Sequence, residues 1–283
     1  MKEIEKHEFL LPKSDQYRSN TFTDDQLRKF SWKLTENEEK DPDAKYMKLV
    51  PAPLSEVHKE ALKKPLSASD AFEFSDYGKQ MNTEGYCKAE NGYCVLPSGV
   101  TYAAAMIRQQ GRTDEMVAYY NEKFGLTDSL FYKLWYPGAH YMHFCDGGCL
   151  EDFGFGRMKL KFVRQLDAKD LGIHPDEIRK RDPKCIYIGG TAAIGRNIDG
   201  DDPKKEEANI ILFYHRQTEY GREVRIRLYY GMGWKEGEFY YTLPDSDRAE
   251  KIARDTCNHI MQEYTNDELL ETTVYADYKA GRR

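Results

Sequence analysis

The segment Arg222-Glu223-Val224-Arg225-Ile226-Arg227-Leu228-Tyr229 alternates polar and apolar side chains along its whole length. A period of two marks a strand with one buried face. That strand is expected to cover 222–231, with others at 131–136, 158–165, 185–190 and 209–217. Tyr86-Cys87 and Tyr93-Cys94-Val95-Leu96 flank Asn91-Gly92, a dipeptide suited to the backbone of a tight turn, so a hairpin is expected there. After Thr113 the spacing becomes helical. Thr113 can cap a helix with Asp114 and Glu115 in its first turn and Met116, Val117 and Tyr120 on one face. His174 to Lys180 reads as a short helix or turn, and the last helix runs from about Ser246 to Tyr264.

Several antiparallel strands closed by one long carboxy-terminal helix make an α+β fold. Curling such a sheet around the helix leaves a cavity between them. Residues 1–80 differ from this pattern: they are densely charged from Glu36 to Lys45 and broken by Pro51, Pro53 and Pro65. They read as an arm of short helices and extended pieces that packs on a neighbour or a partner subunit, or as a loosely ordered leader. Residues 81–283 then form the main domain, and no internal repeat or low-complexity tract interrupts it.

Composition narrows the function classes. With 283 residues, 40% hydrophobic and 13% aromatic, the chain can bury a core. A net charge of -6 without a long basic run argues against nucleic-acid binding. No run approaches the roughly 20 apolar residues of a membrane span. The charged start Met1-Lys2-Glu3-Ile4-Glu5-Lys6-His7 is unlike a signal peptide, and six scattered cysteines are unlike a disulfide scaffold. The expectation is a cytoplasmic protein with reduced thiols. Twenty-one tyrosines against three tryptophans point to a phenol-rich pocket or interface, or to half-buried strand positions.

The chemistry begins at the last helix. His259 and Glu263, four residues apart, project from one face, and Ile252, Thr256 and Ile260 make that face the inward one. An imidazole and an acid aimed into a core call for a partner, and a divalent metal is the usual one. His140 and Glu151 offer further ligands. The preferred set is His140, Glu151, His259 and Glu263, a donor mixture that suits zinc, with manganese, iron or cobalt also compatible. The competing readings are a surface or capping pair on the helix, a turn histidine after Pro137-Gly138, and a solvated acid beside Asp152.

A rival cluster, His140, His143, Cys145 and Cys149, has a spacing unlike ordinary zinc fingers, and on a regular strand His140 and His143 would face opposite sides. Tyr132, His143, His215 and Tyr229 are the candidates for catalytic proton handling. The glycine pairs at Gly154/Gly156 and Gly231/Gly233 do not open a helix after a parallel strand, and no nucleophile elbow is present.

Four segments, in order, resemble a known family. Tyr132-Lys133-Leu134-Trp135-Tyr136-Pro137-Gly138-Ala139-His140 is similar to R-Y-K-x-W-x-P-x-x-H, and Glu151-Asp152-Phe153-Gly154-Phe155-Gly156 to E-D-I-G-x-G. Gly221 to Arg227 resembles G-x-E-x-R-S-R, and His259 to Asn266 resembles H-x-x-x-E-x-x-N. These motifs are those of the diacetylphloroglucinol hydrolase and phloretin hydrolase family. The resemblance implies a Bet v 1-like helix-grip domain, an amino-terminal region that helps form a homodimer, and a catalytic zinc on His140, Glu151, His259 and Glu263. It places the family tyrosine at Tyr132 and implies hydrolysis of the bond between an acyl group and a polyhydroxylated ring.

The chain departs from the pattern in three places. Tyr119-Tyr120-Asn121-Glu122-Lys123-Phe124 replaces a tryptophan-rich segment, the family's strand histidine falls nearer Phe213 than His215, and the stretch from His140 to Glu151 is short. The resemblance implies a small-molecule aromatic ketone substrate, and the departures open the way to a different acyl-phenol or another substrate class. The rival classes are a helix-grip carrier of an aromatic ligand and a structural zinc protein built on His143, Cys145 and Cys149.

Overall fold

The computed structural model describes residues 17–49, 51–82, 85–124 and 129–282. Its main sheet is built from β1 (Gly92–Val95), β2 (Thr101–Gln110), β3 (His140–Phe144), β4 (Gly148–Asp152), β5 (Arg157–Asp167), β6 (Cys185–Asn197), β7 (Glu207–Thr218) and β8 (Gly221–Tyr230). These hydrogen-bond in the order β1-β2-β8-β7-β6-β5-β4-β3, and every pairing is antiparallel. A separate ribbon joins β9 (Met232–Lys235) to β10 (Glu238–Tyr241). The helices are α1 (Asp24–Leu27), α2 (Glu56–Ala61), α3 (Tyr77–Met81), α4 (Asp114–Phe124), α5 (Ser129–Trp135), α6 (Pro175–Arg181) and α7 (Ser246–Lys279). Among the described residues no helix is long and apolar enough to cross a membrane. The architecture is α+β, a large antiparallel sheet with a carboxy-terminal helix.

The helix α7 lies against β1, β2 and β8, and α4 and α5 pack on it in turn. Its stripe Ile252, Ala253, Cys257, Ile260 and Met261 meets Ala103, Ala105, Val224, Ile226 and Leu228. The opposite face of the sheet is also covered, by Phe72, Phe74, Tyr77, Met81, Leu171 and Ile178 packed on Tyr102, Leu212, Tyr214 and Tyr229. The alternation in β8 therefore buries two faces rather than the one expected. Arg225 and Arg227 are 2% and 0% exposed. Both donate to Glu90, and Glu223 pairs with Arg216 at 3.2 Å. A charged residue this deep persists only with a partner, which explains the acids facing them.

Three local expectations are corrected. The segment expected as a strand at 131–136 is the helix α5. Its residues Leu130 to Leu134 are all buried, and a short apolar run buried all round has no period to distinguish helix from strand. The hairpin turn is at 96–100, not at Asn91-Gly92: the Leu96 N–H donates to Val100 O at 2.9 Å, with Gly99 in the left-handed region. Asn91 instead uses its Oδ1 to accept from the Met106 N–H at 2.9 Å. The last helix continues to Lys279, because Leu270 and Val274 prolong the buried stripe.

The first 16 residues of the expected arm, with the charged start, lie outside the described residues. From Tyr17 onward this region is applied to its own chain. Leu27 is buried with Met142, Phe144, Leu150 and Ile198. Tyr46 packs with Leu130, Phe131, Leu134, Leu270 and Val274. The buried Lys133 donates to Glu38 Oε2 at 2.8 Å, which ties α5 to the same region.

Candidate metal centre

Two chain segments converge beside α7, which supplies the rest of the site. The turn Tyr136-Pro137-Gly138-Ala139 delivers His140 to the start of β3, and the His140 N–H donates to Tyr136 O at 2.9 Å. In β4, directly across the ladder, Glu151 pairs with His140. From α7, one helical turn presents His259 and Glu263 to the same point. His140 Nε2 lies 3.4 Å from Glu151 Oε2 and 3.7 Å from Glu263 Oε1. His259 Nε2 lies 3.7 Å from Glu151 Oε2 and 3.9 Å from Glu263 Oε2.

These separations exceed hydrogen bonds but suit atoms around a common cation, since ligands of a tetrahedral zinc stand roughly 3.3–3.4 Å apart. His140 Nδ1 is 2.9 Å from Tyr132 O, and His259 Nδ1 is 3.1 Å from Asp152 O. A carbonyl only accepts, so each Nδ1 carries the hydrogen and each Nε2 faces the carboxylates. Both Nε2 atoms are buried and have no hydrogen-bond partner among the described residues. Two buried imidazole nitrogens left open in front of two buried acids fit a metal ion. The donor atoms of His140, Glu151 and His259 lie within 4.8 Å of one another, a buried His–Glu–His group that could bind one.

The electrostatics agree. Burial pushes His140 down to about 3, so its imidazole is neutral near pH 7 and able to ligate. Burial alone would raise Glu151, but its contacts, the hydrogen bond from the Tyr132 hydroxyl among them, lower it. Burial, with Glu151 and Asp267 nearby, drives Glu263 well above the ordinary carboxyl range. One acid is kept ionised while the other resists ionising, as two carboxylates sharing a buried site do.

The walls are aromatic. Tyr132 stacks on His140 with ring centres 4.0 Å apart, and its hydroxyl donates to Glu151 Oε2 at 2.6 Å. Phe153 stacks on His259 at 4.4 Å, and Tyr136 tilts over the same imidazole at 5.0 Å. The Trp135 indole N–H donates to Glu263 O at 3.0 Å. The segment 151–156 also has a clear local role. Asp152 Oδ1 accepts from the Gly154 N–H at 2.7 Å, Gly154 has φ 91°, and the resulting bend keeps Asp152 O aimed at His259.

The remaining candidates divide. His143 joins the site because the β3–β4 register shifts between His140 and Met142, a bulge that brings 140 and 143 to one face. This overturns the expectation that they face opposite sides. The His143 ring lies 5.4 Å from Tyr132, its Nδ1 has no partner among the described residues, and burial lowers it to about 4. His215 is on the α7 face of β7, half-buried between Phe213 at 5.9 Å and Tyr187 at 5.4 Å. Tyr229 is not brought to the site: it faces the opposite side of the sheet, where its hydroxyl donates to Phe72 O at 3.2 Å.

The rival zinc set is separated. Cys149 Sγ donates to Glu151 Oε1 at 3.4 Å inside the site, whereas Cys145 lies in the β3–β4 turn and joins no metal-type group among the described residues. Cys149, weighed from the sequence only as a ligand of the rival zinc, stands two residues before Glu151 in a strand, which already sets both on one face.

The fold and the site together define an α+β protein built around a buried, metal-competent His–Glu–His centre. The chain belongs to the DAPG hydrolase family, since the model of the DAPG hydrolase PhiG domain matches residues 72–276, and it is a hydrolase of that family. Among curated proteins none matches the chain at a significant level.

Proposed function

We propose that this protein hydrolyses the carbon–carbon bond between an acyl group and a polyhydroxylated aromatic ring, with a divalent cation, zinc first, held by His140, Glu151, His259 and Glu263. The observation that carries the reading is the pair of open, buried Nε2 atoms facing two buried carboxylates. When bound, such a cation lowers the pKa of water toward ~7 and polarises a carbonyl. Tyr132 holds Glu151 through its hydroxyl and His140 through its ring. His143, with Nδ1 open on the same face, hydrogen-bonds a ring hydroxyl of the substrate. His215 is assigned the proton that the ring carbon takes up when its bond to the acyl carbon breaks, a transfer typically worth ~10²–10⁴-fold. The products are a carboxylic acid and the deacylated phenol.

We read the fold as a helix grip of the Bet v 1 kind with α7 as the gripped helix. In support, α7 lies against β1, β2 and β8, while Phe162, Phe213 and His215 on the same face stay half-buried. The test is incubation with phloretin and with mono- and diacylphloroglucinols, following acid and phenol release. Turnover that stops with chelator and returns with zinc is expected. No release from any of them by metal-loaded protein refutes the reading.

A further inference from the structure

We infer that Cys149 is a positioning residue that fixes which oxygen of Glu151 faces the cation; this rests on the metal reading above. Alternation in β4 puts Cys149 and Glu151 on the inner face, and the bulge in β3 sets His143 across the ladder from Cys149. The thiol is buried and donates to Glu151 Oε1 at 3.4 Å, while the Tyr132 hydroxyl donates to Oε2 at 2.6 Å. Each carboxylate oxygen thus has its own protonated tether. Oε2 faces the imidazoles, 3.4 Å from His140 Nε2 and 3.7 Å from His259 Nε2.

A carboxylate can ligate through one oxygen or two, and what its second oxygen bonds to decides which. With Oε1 engaged by sulfur, Glu151 offers a single oxygen. A thiol is a weak donor, so its effect lies in orientation more than in bond energy. Serine preserves the donor, alanine removes it, and valine removes it while filling the space. Valine keeps the test meaningful if the alanine variant packs poorly.

The experiment loads wild type, Cys149→Ser, Cys149→Ala and Cys149→Val with Co²⁺ and records visible spectra and Co²⁺ affinity. The expected result is that serine matches wild type. Alanine and valine should show weaker d–d absorption, as Glu151 adds its second oxygen, and Co²⁺ binding weaker by about three- to tenfold. Wild type should lack a sulfur-to-cobalt charge-transfer band. Such a band, lost in Cys149→Ser, overturns the inference by making the thiol a ligand. Identical spectra and affinities in all four proteins overturn it by making the thiol mere filling. Wild type that binds no Co²⁺ overturns it together with the metal reading, whereas the other two outcomes leave that reading standing.

Discussion

Replacing Glu90 with glutamine should unfold the protein far more readily while leaving the metal centre intact. Glu90 sits on the face of the sheet away from α7, where Arg225 donates to both its oxygens and Arg227 donates to Oε2 at 2.8 Å. The Cys87 N–H adds a bond to Oε1 at 2.6 Å. Removing the charge leaves two buried guanidinium groups without a counter-charge, a change that costs about 3–5 kcal/mol. The carboxyl's own ionisation gives an independent figure. Burial would raise it, but the charge of Arg227 and the hydrogen bond from Arg225 hold it at about 2, below its ordinary 4.5. That depression corresponds to about 3 kcal/mol of stability.

Because the folded value is lowered, this contribution is complete above pH 4.5 and is lost as pH falls toward about 2. Urea unfolding at pH 7 should show the Glu90→Gln midpoint lowered by that energy divided by the slope, with the slope unchanged. Between pH 4.5 and 2 the stability of wild type should fall more steeply than that of the variant. A variant within about 1 kcal/mol of wild type at pH 7, or one with the same acid slope, would refute the argument.

Three further outcomes are expected. Tyr132→Phe keeps the ring on His140 but loses the bond to Glu151, so metal affinity measured by chelator competition should weaken by about tenfold, and an unchanged affinity would remove Tyr132 from the site's support. Asn266→Ala breaks the bonds from the Ala52 N–H at 2.8 Å and to Trp135 O at 3.0 Å, and should destabilise by about 2 kcal/mol; thermal unfolding indistinguishable from wild type contradicts this clamp. Chelation should lower the melting temperature of wild type but not of His140→Ala, since a ligand that binds the folded state alone stabilises it; equal shifts in both proteins would point to a metal bound elsewhere.

Much of this arrangement can be read from residue order, because period and spacing are local. The strands β5 to β8 follow from local runs and, in β8, from alternation, and one helical turn between His259 and Glu263 suffices to align them. What escapes is set by partners distant in the chain. Ala103-Ala104-Ala105 hides β2, since small residues buried on both faces carry no alternation. The tail of α7 looks too polar for a buried helix because Asp267 and Glu271 occupy its inner stripe, and only their pairing with Arg112 from the end of β2 explains them. The bulge beside Tyr141, which turns His143 inward, has no sequence signature. Tyr229 is different: its parity against Val224 and Ile226 already puts it on the other face.

The central claim is that four side chains from β3, β4 and α7 hold one divalent cation. Elemental analysis of protein purified without chelator measures it directly. Wild type should carry about one equivalent of metal, zinc first, and His140→Ala and His259→Ala should each retain little of it. A wild type free of metal, or variants that keep the full equivalent, would contradict the account.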